Sequence, residues 1–149
     1  MRNIKDMFDL TGKTVVTTGG AGHLGIGISE ALAVFGAELY LLGHDAEKNQ
    51  RERDRLRERY EGLTCECIAF DLHDKNSVHG AVDAVMQSAR KIDVLINNAA
   101  YGCVKPLHEY EEEEWLEGID GTINGVFRMT REILPIMLEQ GHGNIINIA

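Results

Sequence analysis

The sequence predicts an α/β fold: a doubly wound parallel sheet of about five strands with helices on both faces. Three observations carry this. Short runs that are apolar on both faces alternate with longer segments of helical period. The alternation continues along the whole chain, with no internal repeat, linker or low-complexity segment. And the stretch TTGGAGHLGIG, residues 17–27, places five glycines directly after the first apolar run.

Each element has a local reason. Residues Thr14–Thr18 read as a short buried strand. A helix is expected over 26–35, where Ile28, Leu32 and Phe35 recur at helical spacing and Gly36 ends the run. Residues 38–42 form the second strand. The charged run DAEKNQRERDRLRERY predicts a solvated helix over 46–60, supported by opposite charges four residues apart. A third strand is expected at 63–70. Helix 76–89 carries Val78, Val82, Val85 and Met86 as its stripe. A fourth strand spans 93–97. A helix starts at 111–117, where the EEEE run complements the dipole of a first turn and Trp115 packs. The longest helix runs over 121–140, with Pro135 expected to bend or unwind it. The fifth strand is 144–148. Right-handed crossovers between such strands give the doubly wound order.

Length and composition narrow the function. At 149 residues the chain is one domain. A net charge of −9 argues against a nucleic-acid backbone or an anionic membrane surface as partner. No run approaches the ~18 apolar residues of a membrane span, and residues 1–10 lack a signal-peptide core. The three cysteines, two of them Cys65-x-Cys67 on one face of a strand, read as reduced, buried thiols of a cytoplasmic protein. The histidines are scattered and fit no zinc spacing, so no metal site is expected.

The glycines point to chemistry. Gly20-x-Gly22-x-x-Gly25 follows a strand and opens a helix, in the first unit of the fold. Glycines there let the backbone turn tightly and approach a dinucleotide pyrophosphate. The following helix offers free N–H groups and its positive end. The Thr18 hydroxyl is placed to steady the turn.

With these landmarks the sequence resembles the short-chain dehydrogenase/reductase family, classical type, from about Leu10 to Ala149. Asp71-Leu72 stands where the family's Asp meets adenine. IDVLINNAA, 92–100, resembles the family's N-N-A-G, with Ala100 in place of the last glycine. TINGVF, 122–127, resembles the helix segment with the catalytic Asn, here Asn124. GNIINIA, 143–149, resembles the strand that leads to the catalytic Ser. The resemblance implies a Rossmann-type NAD(P)-binding domain over 1–149. Its expected cofactor-binding residues are Thr18, Gly19, Gly20, Ala21, Gly22, His23, Leu24, Gly25, Gly43, His44, Asp45, Asp71, Leu72, Asn98, Ala99 and Ala100.

There are departures. His23 stands at the middle glycine of the family's T-G-x-x-x-G-x-G. Read as T-G-x-x-G-x-x-G, through Thr18, Gly19, Gly22 and Gly25, the turn fits the extended branch, which includes sugar-nucleotide epimerases. Asn97-Asn98-Ala99 and Asn124 favour the classical branch. The cofactor is NAD or NADP, and the second strand's end is mixed: Gly43 stands where an NAD-type Asp would align, His44 where an NADP-type Arg would, and Asp45 follows. Gly43 leaves room and His44 can donate, which favours NADP.

The implied activity is hydride transfer between a nicotinamide cofactor and an alcohol or ketone. The family's Ser, Tyr and Lys would lie beyond Ala149, as would its C-terminal strands, so the chain reads as truncated and by itself inactive. Tyr101-x-x-x-Lys105 is rejected as the catalytic pair because Gly102 and Pro106 make it a loop; Tyr101 is expected at the mouth of the nicotinamide pocket. The long helix, with Ile123, Phe127, Ile133, Leu134, Met137 and Leu138, is the face that in the family meets a partner subunit. A homo-oligomer is therefore expected, and an isolated 1–149 chain should be marginally stable and prone to associate. The alternatives are a non-catalytic dinucleotide-binding module and an extended-branch epimerase.

Overall fold

Thr14–Thr18 (β1) is buried at all five positions, so it needs a hydrogen-bonded neighbour along both edges. The computed structural model, which describes residues 7–102 and 105–149, supplies both. Glu38–Gly43 (β2) pairs with β1 on one side and Val94–Asn97 (β4) on the other, both in parallel. Cys65–Ala69 (β3) adds outside β2, and Asn144–Asn147 (β5) adds outside β4. The order is β3-β2-β1-β4-β5, all parallel. Residues 1–6, read above for a leader, and Cys103, the third cysteine, lie outside the described residues.

The helices divide between the two faces. His23–Val34 (α1) and Ala46–Arg59 (α2) cover one, where Val15, Leu39, Leu41 and Ile96 pack with Ala33 and Leu56. Cys65 is buried in this layer and Cys67 packs against it, on the shared face the alternation predicts. Lys75–Ala89 (α3) and Gly125–Gln140 (α5) cover the other, where Val16, Leu42 and Leu95 meet Val78, Val82, Met129 and Ile133. Glu112–Ile119 (α4) precedes α5. Among the described residues no helix is long and apolar enough to cross a membrane.

Three expectations change. First, α1 begins at His23, inside the glycine turn, and ends before Phe35. Ile28 and Leu32 pack inward, but the Phe35 ring lies against Phe8, centroids 5.7 Å apart. Second, α4 and α5 are joined by a π-helical turn, Asp120–Asn124. The helix then runs through Pro135 to Gln140 without unwinding there; the departure from α geometry sits upstream. Third, Ile133 and Met137 face the core, while Ile123, Phe127, Leu134 and Leu138 face outward.

At the N-terminal end of the sheet, the Asp93 carboxylate gathers donors from three elements. It accepts from the Thr14 N–H at 2.9 Å, and pairs with Lys91 at 2.9 Å and Lys13 at 3.3 Å. His142 Nε2 lies 3.2 Å away, just before β5. Burial by itself pushes this carboxyl up; the Thr14 N–H and the two lysines outweigh it and hold it at about 2, against 3.8 when unfolded. A depressed folded pKa stabilises fully above the unfolded value and is lost as pH falls through the folded one. Asp93 should therefore contribute on the order of 2 kcal/mol at neutral pH, lost between pH 3.8 and 2. Urea unfolding at a series of pH values should show this acid limb, and Asp93→Asn should flatten it.

Candidate functional site

The crevice lies at the C-terminal end of β1, where the chain leaves to opposite faces through β2 and β4, the topological switch point of an open parallel sheet. Thr18 closes β1 there. Its hydroxyl accepts the N–H groups of Asn98 at 3.1 Å and Ala99 at 3.0 Å. The Asn98 amide returns two bonds, to the carbonyls of Thr18 at 3.2 Å and Gly19 at 3.0 Å. Thr18 thus welds β1 to the segment after β4, and the turn is steadied through that weld.

Gly19 has φ +65°, a conformation that favours glycine, and donates to the Leu42 carbonyl at 2.6 Å. Gly25 is required for a different reason: a Cβ there would collide with the Gly19 carbonyl, so α1 sits directly on the turn. The helix has no side-chain cap and no acid in its first turn. The bond from the Ile26 N–H to the Gly22 carbonyl, at 3.0 Å, is the first of the helical ladder. The N–H groups of His23, Leu24 and Gly25 precede it, so they and the positive end of the helix face the crevice. A terminus of this kind is suited to an anion. His23 and Leu24 are exposed beside it; Gly20 and Ala21 are buried beneath it.

The expected adenosine side is arranged differently from expectation. The space beside Gly43 is not open. Asn49 fills it, donating its amide to the Gly43 carbonyl at 2.9 Å, and a Cβ on Gly43 would stand 2.8 Å from the Asn49 Oδ1. Asp45 caps α2 by accepting the Lys48 N–H at 2.9 Å, so its carboxylate is held at the helix rather than swung to a ribose. His44 is exposed between them. Asp71 accepts both the His73 N–H at 2.9 Å and the His73 Nδ1 at 3.0 Å; the His73 backbone bond is the main reason its carboxyl lies below the usual range. The Leu72 side chain is buried in the core, and its carbonyl accepts from Arg128 at 3.0 Å.

Asn124 lies in the π turn that precedes α5. It is exposed, and its amide donates to Asp120 Oδ1 at 2.8 Å. Arg128 and then Asn124 hold the Asp120 carboxyl at about 2. The neighbouring hydroxyl, Thr122, is the one that meets the segment after β4, bonding both the N–H and the carbonyl of Tyr101. Tyr101 and Lys105 diverge: Lys105 pairs with Glu114, while the Tyr101 ring lies against His73, centroids 4.3 Å apart. A cavity of about 400 Å³ opens beside Ala100 and Tyr101, walled by Tyr110, Trp115, Ile119 and Ile123.

Sequence reasoning missed His73, Asn49, Thr122 and Arg128. For His73 a signal existed, since an Asp two residues before it is placed for a local side-chain turn. Arg128 reaches Asp120 across eight positions and a π turn, which no local rule anticipates.

Residues 13–149 match the family model for short chain dehydrogenases. Gluconate 5-dehydrogenase of Gluconobacter oxydans (strain 621H) is 32% identical over 143 residues, covering 96% of this chain and 55% of the relative. The 5-keto-D-gluconate 5-reductase of Escherichia coli (strain K12) is 29% identical over 145 residues, covering 97% of this chain and 56% of the relative. The crystal structure of NAD+-bound xylitol dehydrogenase superposes with a TM-score of 0.85 at 26% identity, covering 93% of this chain and 53% of that one. The chain spans about half the length of the relatives it matches. A glycine turn on an uncapped helix at the switch point, in a sheet of this order, and a family match across nearly all of these residues lead to one assignment: the chain belongs to the short chain dehydrogenase family.

Proposed function

We propose that this chain is the dinucleotide-binding part of an NAD(P)-dependent oxidoreductase acting on an alcohol or a ketone. The observation that carries the reading is the set of N–H groups at the start of α1, uncapped and aimed at the switch point. The chain's own chemistry fits a pyrophosphate there, because Gly25 lets the helix seat on Gly19 and the first turn of α1 carries no acid. In this reading His23, Leu24 and Gly25 hold the pyrophosphate, His44 faces the ribose, and Asp71 with Leu72 borders the adenine. Thr18 and Asn98 keep the floor in place. When bound, the nicotinamide supplies the centre that gives or takes hydride.

In this proposal Asn124 holds the place of the family's catalytic Asn. Its bond to Asp120, shared with Arg128, braces the π turn that presents Thr122. The relatives' names concern gluconate and 5-keto-D-gluconate, and a structural neighbour is a xylitol dehydrogenase. These support a polyhydroxylated alcohol or keto acid as the substrate class. The outward apolar side chains Phe127, Leu134 and Leu138 support a homo-oligomer. The free thiols of Cys65 and Cys67 support a cytoplasmic setting. The family's Ser, Tyr and Lys have no counterpart in these 149 residues, so this polypeptide on its own should bind cofactor without turning substrate over.

Fluorescence titration with NADH and NADPH tests the reading. Saturable binding of at least one is expected; binding of neither overturns it. Gly25→Ala should weaken that binding by tenfold or more, about 1.4 kcal/mol or above, with circular dichroism melts confirming that the fold remains. His44→Ala decides the cofactor. If His44 meets a 2′-phosphate, NADPH should lose about three- to tenfold while NADH is unchanged, in line with one charge-assisted hydrogen bond.

A further inference from the structure

The crevice is partly filled by the chain itself. Tyr101 leaves the end of β4, and its ring stands edge-on to the His73 imidazole at 88° and 4.3 Å between centroids. The His44 ring is 6.2 Å from the Tyr101 ring, tilted by 57°. His44 follows β2, and His73 comes soon after β3. The phenol ring therefore reaches from β4 past the end of β1 to the far half of the sheet. It crosses the strand ends where the adenosine half of a dinucleotide would lie. Next to it, Asp71 is engaged twice by His73 rather than by a ligand.

Gly121 provides the notch for this ring. A Cβ on Gly121 would collide with the Tyr101 Cβ, and would stand 2.7 Å from its Cγ and 2.9 Å from the His73 Nε2. The Tyr101 backbone is fixed in both directions by Thr122, which accepts its N–H at 3.2 Å and donates to its carbonyl at 3.1 Å. Only the side chain is left to swing. The His73 Nε2 is buried at this contact without a hydrogen-bond partner, an unfavourable arrangement for a polar atom. Removal of the ring would open that nitrogen to water or to a base.

We propose that Tyr101 is an internal occupant of the adenine end of the groove, and that a dinucleotide binds only after displacing its ring. The inference rests on the dinucleotide reading above. Because only molecules with the ring displaced are competent, the apparent affinity is the intrinsic one scaled by their fraction. An edge-to-face aromatic pair of ordinary strength makes that a factor of about two to ten.

The test is NADH titration of the 149-residue chain and three variants. Tyr101→Ala and Tyr101→Ser both remove the ring. Both should bind about two- to tenfold tighter. Tyr101→Phe keeps the ring and should bind as the parent does. Adenosine 5′-monophosphate should gain the same factor in the first two variants, and nicotinamide mononucleotide should gain nothing. Parent binding with Tyr101→Ala and Tyr101→Ser unchanged or weaker overturns the occlusion and leaves the dinucleotide reading standing. Absence of binding by all four proteins overturns both. The two ring-removing variants leave different side chains at position 101, so a folding defect in one leaves the other to decide.

Discussion

The burial of β1 on both faces and both edges is the constraint on which the rest depends. A strand with no exposed position cannot leave a backbone group unpaired, so β2 and β4 must flank it, and the chain must diverge at its end. That divergence is the crevice. Thr18 then takes on two tasks at once, closing the strand and accepting two N–H groups from the segment after β4. The glycine turn is held on a rigid frame because its carbonyls are bound by Asn98 from the neighbouring element. The open helix terminus is therefore a fixed feature of the sheet rather than a property of a loose loop.

The two ends of the sheet are treated differently. At the N-terminal end, Asp93 is surrounded by donors from several elements, and polar groups find partners. At the other end, the buried side-chain atoms without partners among the described residues are Thr17 Oγ1, His73 Nε2 and Asn97 Oδ1. All three sit at or just past the C-terminal half of a strand. Stability is concentrated at one end, and unsatisfied hydrogen-bonding capacity at the other, where a ligand would enter.

The sheet was legible in the sequence because period and glycine placement are local signals. Strand β1 was read to the residue, and the other strands to within a residue or two. The helix faces were less legible. The π turn at Asp120–Asn124 inserts an extra residue and rotates everything after it by about 100°. Met129, Ile133 and Met137, four residues apart, share the face that turns inward, while Phe127, Leu134 and Leu138 face outward. Side-chain partners were the least legible. Asn49 occupies the space beside Gly43, and Asp120 takes the Asn124 amide, through contacts that only the folded backbone arranges. A residue type matching a family pattern says what could act there, and its neighbours decide where the side chain goes.

The weld between Thr18 and Asn98 joins positions 80 apart in the chain. At a synthesis rate of about 5–20 residues per second, Asn98 emerges about 4–16 seconds after Thr18. During that interval β2 is available to one edge of β1, and the other edge, apolar and unpaired, has no partner yet. It is a template for association with any extended chain nearby. The heavily charged α2 segment emerges within it and is the natural counterweight, keeping the unfinished half-sheet in solution until β4 arrives. The same long-range parallel pairing that fixes the crevice therefore makes completion of the sheet wait on β4.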